Sequence, residues 1–279
     1  MRAWRTPCAL VVVAAAAWGC SEPTDPDPEP PAVYETARFK IVDSTHSPQP
    51  LIDSIAGRLE SELDRVLVLL PEFPEPDTVW TLMLVNGKGM GFVDLDDQSL
   101  WQWLDDLDLD YLPHQLTHLL TGYARRPFLE EGLAVWATEE LLPGNTTVHP
   151  YRGQPPHAWV SLFQEASSQI PIDVMWTAFN LGYAYDGSSA DASAWQLFIE
   201  TGSFTRWVME TYGRAAWFYV YELDNLPAAL GVSEAELEAA WLAATRAAFP
   251  SPLTCEEALG TRGPLGTREV FWCARARGE

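Results

Sequence analysis

Apolar positions in the first half of the chain predict one long helix set between short strands. Within 50–70 they recur at helical spacing: Leu51, Ile52, Ile55, Leu59, Leu63, Val66 and Leu69. Two prolines follow and end the helix. Residues 38–42 before it, and 78–85 and 90–95 after it, are short apolar runs typical of strands, the last two separated by an Asn-Gly turn.

From about residue 110 onwards the spacing is mostly helical. Helices are expected near 110–122, 128–141, 190–201, 203–212 and 233–248. The last begins with Ser233 and carries Glu236 three residues later, the pattern of a capping box. Strands followed by helices indicate an α+β fold, with a small N-terminal β-sheet and helices followed by a mainly α-helical domain.

The N-terminus has the pattern of an export signal. Two arginines precede a ten-residue apolar run at 9–18, which is too short to span a membrane as a mature helix. The segment 17–20, Ala-Trp-Gly-Cys, resembles a bacterial lipobox, in which cleavage leaves the cysteine as a lipid-modified N-terminus. Cys20 is therefore the predicted lipidation site; the alternative is a plain signal peptide with an incidental cysteine.

The signal divides the chain into four parts. We expect a lipoprotein signal peptide at 1–20, an acidic Pro-rich tether at 21–35, one domain at 36–250 and a C-terminal tail at 251–279. This organisation predicts an exported, lipid-anchored protein of a bacterial cell envelope. By analogy, the serine after Cys20 favours the outer membrane over the inner one.

The charge of the chain limits its partners. It carries 17 Lys and Arg against 39 Asp and Glu, a formal net charge of −22, and loss of the signal removes two further arginines. Such a chain repels nucleic acid and anionic lipid headgroups. Membrane contact is therefore expected through an N-terminal lipid anchor rather than through basic side chains.

Of the four cysteines, only two lie in the predicted folded body of the mature protein. Cys8 lies in the signal and Cys20 is the lipidation candidate. Cys255 and Cys273, 18 positions apart, are expected to form a disulfide in an oxidising compartment. Two thiols make a cysteine-based zinc site improbable.

The segment His-Gln-Leu-Thr-His at 114–118 carries the main candidate chemistry, together with Glu-Gly-Leu-Ala at 131–134. Histidines four apart share one helix face, and a carboxylate on the next helix can complete a His₂Glu zinc site. In the related His-Glu-x-x-His motif the glutamate takes a proton from the water that zinc holds. Gln115 occupies that position, and an amide cannot accept the proton. The pattern predicts a metal site without ordinary catalysis.

With these motifs the chain resembles a known family over roughly 36–248. The pieces HQLTH and FLEEGLAVW, with GSFTRWV and TYG downstream, are similar to gluzincin zinc metallopeptidases, closest to the bacterial peptidase MA-like branch. The resemblance implies zinc as cofactor, with His114, His118 and Glu131 as ligands. It also places Gln115 at the general-base position, where the family has glutamate.

The resemblance further implies a Tyr or His that stabilises the reaction intermediate. Tyr183 and Tyr185 are candidates; the alternative for both is an ordinary half-buried tyrosine. Three other histidines, at 46, 149 and 157, lie close to prolines and are interpreted as loop residues.

Three functions are consistent with these patterns. The first is a pseudoenzyme that binds metal and holds a peptide or protein ligand in a cleft, with little or no hydrolysis. The second is an active zinc peptidase that uses another base, for which Glu130 is the nearest carboxylate. The third is a surface scaffold without metal, in which the histidines are relics.

Overall fold

The computed structural model describes residues 31–254 except 76, 89–90, 108, 123–125, 145–153, 179–188 and 252, together with residue 257. Within these residues a five-stranded sheet comes first in the chain and nine α-helices follow or flank it. The predicted α+β class, a small N-terminal sheet followed by a mainly helical domain, is confirmed. None of the helices in the described part is both long and apolar enough to cross a bilayer.

The elements follow one another in a simple order. The strands are β1 (Ala32–Glu35), β2 (Phe39–Asp43), β3 (Trp80–Val85), β4 (Phe92–Asp94) and β5 (Ser99–Trp103). The helices are α1 (Gln49–Leu69), α2 (Leu112–Thr121), α3 (Pro127–Leu141), α4 (Pro156–Glu165), α5 (Ile172–Ala178), α6 (Ser189–Tyr212), α7 (Arg214–Leu223), α8 (Leu226–Leu230) and α9 (Glu234–Ala248). Two short 3-10 turns lead from β5 into α2.

The sheet is mixed, with strand order β1-β2-β3-β5-β4. Strands β2, β3 and β5 are parallel, while β1 and β4 run antiparallel to their neighbours at the two edges. Strand β1 lies inside the segment 21–35 expected to be a tether, so the sheet begins before the predicted boundary at 36. Strand β5 was not predicted, because only part of its inward face is apolar: Leu100 alternates with the buried Gln102.

One face of the sheet packs on α1. The strand register places Ile41, Leu82 and Leu100 side by side, and all three are buried. The buried side of α1 faces them with Ile52, Ile55, Leu59, Leu63 and Val66. Each fully buried aliphatic side chain contributes about 1.5–3 kcal/mol. This layer supports α2 and fixes its position relative to the sheet.

Helices α3 and α6 pack closely against each other at two glycines. A β-carbon on Gly202 would lie 2.7 Å from Cβ of Val135, and one on Gly132 would lie 3.0 Å from the carbonyl oxygen of Thr201. Only glycine at these positions lets the two backbones approach so closely. We expected two helices, 190–201 and 203–212, but α6 is continuous through Gly202 because that residue packs on α3.

Four helices were missed from the sequence: α4, α5, α7 and α8. The prolines around His157 were interpreted as a loop, but Pro156 occupies the first turn of α4, where a proline costs no hydrogen bond. Near α5 the chain is held by Glu200 of α6, whose side-chain carboxyl oxygens lie 3.2 and 3.0 Å from the Ile170 N–H that donates to them.

Candidate metal centre

Helices α2 and α3 carry the predicted ligands, and specific contacts fix the end of α2 and the start of α3. Gly122 follows α2 and ends it with a φ of +67°, a backbone conformation that suits glycine. Before α3, the Arg126 guanidinium forms an ion pair with Asp224 at 2.5 Å and lies 4.9 Å from the centre of the Trp176 ring. These contacts tie the start of α3 to the end of α7 and set its position against α2.

Three predicted ligand atoms converge between the two helices. His114 Nε2 and His118 Nε2 are 3.1 Å apart, and Glu131 Oε2 lies 3.2 Å from the first and 3.5 Å from the second. Ligand atoms bound tetrahedrally to one Zn²⁺ at about 2.0–2.2 Å are separated by roughly 3.3–3.6 Å. The group therefore has the size of three corners of a single coordination tetrahedron, and these residues fit a metal ion.

Electrostatics within the group favour the charge state of a metal ligand at Glu131 and His114, whereas His118 must lose its more tightly held proton before it can bind a metal. Burial would raise the pKa of Glu131, but the two histidines outweigh it and hold that pKa well below its usual range. Burial lowers the pKa of His114. Burial also opposes the charge on His118, yet the adjacent carboxylate of Glu131 leaves the pKa of His118 raised. In the metal-free protein Glu131 is thus a carboxylate beside one neutral imidazole and one that binds a proton more readily.

Aromatic rings enclose the first histidine. The Tyr111 ring stacks on His114 at a centroid distance of 4.4 Å and an interplanar angle of 17°, and Phe198 meets the same imidazole edge-on at 6.3 Å. Within the described residues, His114 Nδ1 is buried without a hydrogen-bond partner. The imidazole is therefore oriented by ring packing rather than by a carboxylate or carbonyl behind it.

Gln115, which the resemblance places at the general-base position, is held by a residue that the sequence did not single out. Gln102 on β5 donates a hydrogen bond from Nε2 to Gln115 Oε1, and the two side chains are 3% and 2% exposed. Gly91, just before β4, borders both amides: a β-carbon there would lie 2.5 Å from Gln115 Nε2. The only sequence signal for Gln102 is a polar residue on the inward face of β5, between two tryptophans.

Glu130 does not belong to the ligand group. It is buried, and its charge raises the pKa of both His118 and Tyr221, so it lies on the side of the group near α7. Burial is the largest cause of the shift in Tyr221, and it raises the pKa of this side chain to about 12. The sequence did not single out Tyr221.

Other predicted residues lie outside the described part of the chain, or lie within it but away from the group. Tyr183, Tyr185, Cys20, Cys255 and Cys273 lie outside the described residues, as does His149. His157 is not a loop residue: it is buried in α4, where Nδ1 lies 2.8 Å from Ser203 Oγ. Burial lowers the pKa of His157 to about 4. Its role is to pack α4 on α6.

In the described part of the chain, His114, His118 and Glu131 form the one cluster of three or more His, Cys, Asp or Glu side chains that could hold a metal ion. No protein-family model matches the chain, and no curated protein matches it.

Proposed function

We propose that this chain is a gluzincin-like, lipid-anchored envelope protein that binds zinc and a peptide or protein ligand and hydrolyses peptides slowly or not at all. The observation that carries this proposal is the convergence of His114, His118 and Glu131 within 3.1–3.5 Å, next to an amide where a general base would be needed.

The donor set supports zinc. Two imidazole nitrogens and one carboxylate match the His₂Glu sites of zinc enzymes, which leave a fourth position open for water or substrate. When bound, zinc would supply Lewis acidity and bring the pKa of a water at the open position to about 7. The chain itself supplies the three ligands, the Tyr111 ring that orients His114, and the surrounding burial.

Gln115 limits the chemistry. General-base assistance is worth about 10²–10⁴ in rate, and an amide provides none. The side-chain oxygen of Gln115 already accepts a hydrogen bond from Gln102. Slow residual hydrolysis remains chemically feasible, but efficient catalysis needs a base from elsewhere.

The edge strand supports a peptide or protein ligand. Among the described strands, β4 is at an edge of the sheet and pairs on one side only, with β5. Gly91, the residue before β4, lies against the side chain of Gln115. An extended peptide can add to such an edge through main-chain hydrogen bonds. The acidic charge of the chain argues against a nucleic-acid partner.

An active peptidase that uses Glu130 is the second candidate. The observation in its favour is that the charge of Glu130 reaches His118. Against it, Glu130 lies outside the cluster of ligand atoms, toward Tyr221.

A paired assay tests the proposal. Zinc content and peptide hydrolysis would be measured for the unmodified chain, for Gln115→Glu, and for Gln115→Glu combined with His114→Ala. We expect about one zinc per chain for the first two, little hydrolysis by the unmodified chain, and a gain of about 10²–10⁴ for Gln115→Glu that the second substitution abolishes. A chain that takes up no zinc overturns the proposal in favour of a scaffold. Rapid metal-dependent hydrolysis by the unmodified chain, lost in Glu130→Gln, favours the second candidate.

A further inference from the structure

The two glutamines beside the metal group leave one hydrogen-bond donor unused. Gln102 Nε2 donates to Gln115 Oε1, so the acceptor of Gln115 is occupied by the protein. Gln115 Nε2 is buried and has no hydrogen-bond partner among the described residues. Buried amide N–H groups are nearly always paired, and leaving one unpaired is destabilising. A ligand that accepts a hydrogen bond at this point would complete the pair.

The charge of the group selects the type of acceptor. Two neutral histidines, one glutamate and a divalent cation carry a net charge of about +1. A glutamate at 115 would cancel that charge, whereas Gln115 leaves it in place. Compared with a glutamate, Gln115 offers a hydrogen-bond donor and carries no negative charge. Both differences favour an anionic oxygen ligand over water. A carboxylate can bind a divalent metal through one oxygen and accept a hydrogen bond from an amide.

Gly91 connects this donor to the edge strand. A β-carbon at 91 would lie 2.5 Å from Gln115 Nε2, so the bare backbone leading into β4 runs against the amide. A peptide paired with β4 and ending beside Gly91 would bring its terminal carboxylate toward this amide. The chemistry that fits both features is the carboxylate at the end of a peptide chain.

We propose that the open position of the metal group binds the C-terminal carboxylate of a peptide, with Gln115 Nε2 donating to it and Gln102 holding the Gln115 amide in that orientation. This inference rests on the proposed metal and peptide binding and names the ligand class. Gln115 is the binding residue and Gln102 is a positioning residue. The substitution of the general base has, on this view, converted a hydrolytic position into a carboxylate-binding one.

The test uses the full chain loaded with Co²⁺, whose visible absorption reports changes in its ligands. It would be titrated with an N-acetylated tripeptide bearing a free C-terminal carboxylate, with the same peptide amidated at its C-terminus, and with acetate. We expect the acid to change the spectrum and to bind about ten- to hundredfold more tightly than the amide, as for a hydrogen bond to a charged group. Acetate should bind more weakly than the peptide acid, and equal affinity would overturn the peptide assignment.

Three variants separate the roles of the glutamines. Gln115→Glu and Gln115→Met should both weaken binding of the peptide acid about ten- to hundredfold while Co²⁺ uptake is retained. Gln102→Glu would accept from Gln115 Nε2 and draw the donor away, so it should cause a similar loss with residue 115 unchanged. Thermal unfolding of each variant checks that it is folded, and any two folded variants suffice for the comparison.

The outcomes distinguish this inference from the proposed function. Equal affinity for acid and amide, or binding of the acid that none of the folded variants weakens, overturns carboxylate recognition while leaving the metal site in place. Failure of the unmodified chain to take up Co²⁺ or Zn²⁺ overturns both.

Discussion

Gly202 of α6 lies directly against Val135 of α3, with a hypothetical β-carbon on Gly202 only 2.7 Å from Val135 Cβ and closer still to Cγ1. Real β-carbons do not approach other carbon atoms so closely. The contact keeps α6 unbroken and sets the spacing between α6 and α3, the helix that carries Glu131.

Gly202→Ala should therefore destabilise the fold by about 1–3 kcal/mol, through overpacking against Val135. The matched control is Gly57→Ala on the exposed side of α1, where nothing lies within 4 Å of the added carbon. That change should stabilise the protein by roughly 0.5–1 kcal/mol. Urea unfolding measures both. Adding Val135→Ala to Gly202→Ala should recover part of the loss, and a Gly202→Ala protein as stable as the parent would contradict this account.

Zinc should stabilise the folded chain through the three converging ligands. A ligand that binds only the folded state at 100 times its Kd adds about 2.7 kcal/mol. Thermal unfolding with and without zinc should show a rise in Tm for the unmodified chain and no rise for His118→Ala. The control is His157→Ala: this buried histidine lies outside the group, so its loss should lower Tm but preserve the zinc-dependent rise. An equal zinc response in all three proteins would mean that the metal binds elsewhere.

Glu200 should make stability depend on pH. Burial raises the pKa of this carboxyl to about 8, against the hydrogen bonds from Gln196 and Ile170 that favour its charged form. An unfolded glutamate titrates near pH 4.3, so between these values the folded protein keeps a proton that the unfolded chain releases. The free energy of unfolding should then fall as pH rises from about 5 to about 8.

Glu200→Gln removes this titration and should flatten the profile over that range, with the largest relative gain in stability near pH 8. Denaturant unfolding at several pH values measures the effect, and the exposed Glu222→Gln serves as the control that should keep the parental slope. If the slopes of the parent and Glu200→Gln are the same, Glu200 does not keep its proton in the folded protein.

Membrane attachment should depend on Cys20. If Cys20 is the lipidation site, its acyl chains would supply the attachment, because a chain with a net charge of −22 is repelled by anionic lipid headgroups. Cys20→Ala should move the protein from the membrane fraction to the soluble fraction, whereas Cys8→Ala should leave attachment unchanged. Mass spectrometry that finds an unmodified N-terminus on the mature parent would refute the anchor.

Local patterns along the chain were enough to predict much of the fold. The apolar spacing through 50–70 predicted α1, which runs from Gln49 to Leu69. The capping box is present as expected, because Ser233 and Glu236 each bond the other's backbone N–H. Helix α2 runs from Leu112 to Thr121, within the predicted range 110–122. These features depend on residues three or four positions apart, so the sequence contains all the information they need.

The missed features depend on contacts between distant segments. Strand β5 pairs between β3 and β4, and its inward Gln102 has its partner on α2, so its alternation is not visible as an apolar pattern. Helix α6 continues through Gly202 because Val135 lies opposite. His157 is buried because α6 covers it. In each case the deciding neighbour is more than ten residues away along the chain.

The same division holds for the site. The sequence by itself determined the candidate donors, since two histidines four apart on a helix share a face wherever that helix packs. It also determined that an amide replaces the expected base. Only the tertiary structure decided that Glu131 of α3 meets both histidines of α2, because that depends on how two helices pack. The tertiary structure alone decided that the nitrogen of the Gln115 amide remains available. Gln102, which binds the amide oxygen, lies on β5, whereas Gln115 lies on α2.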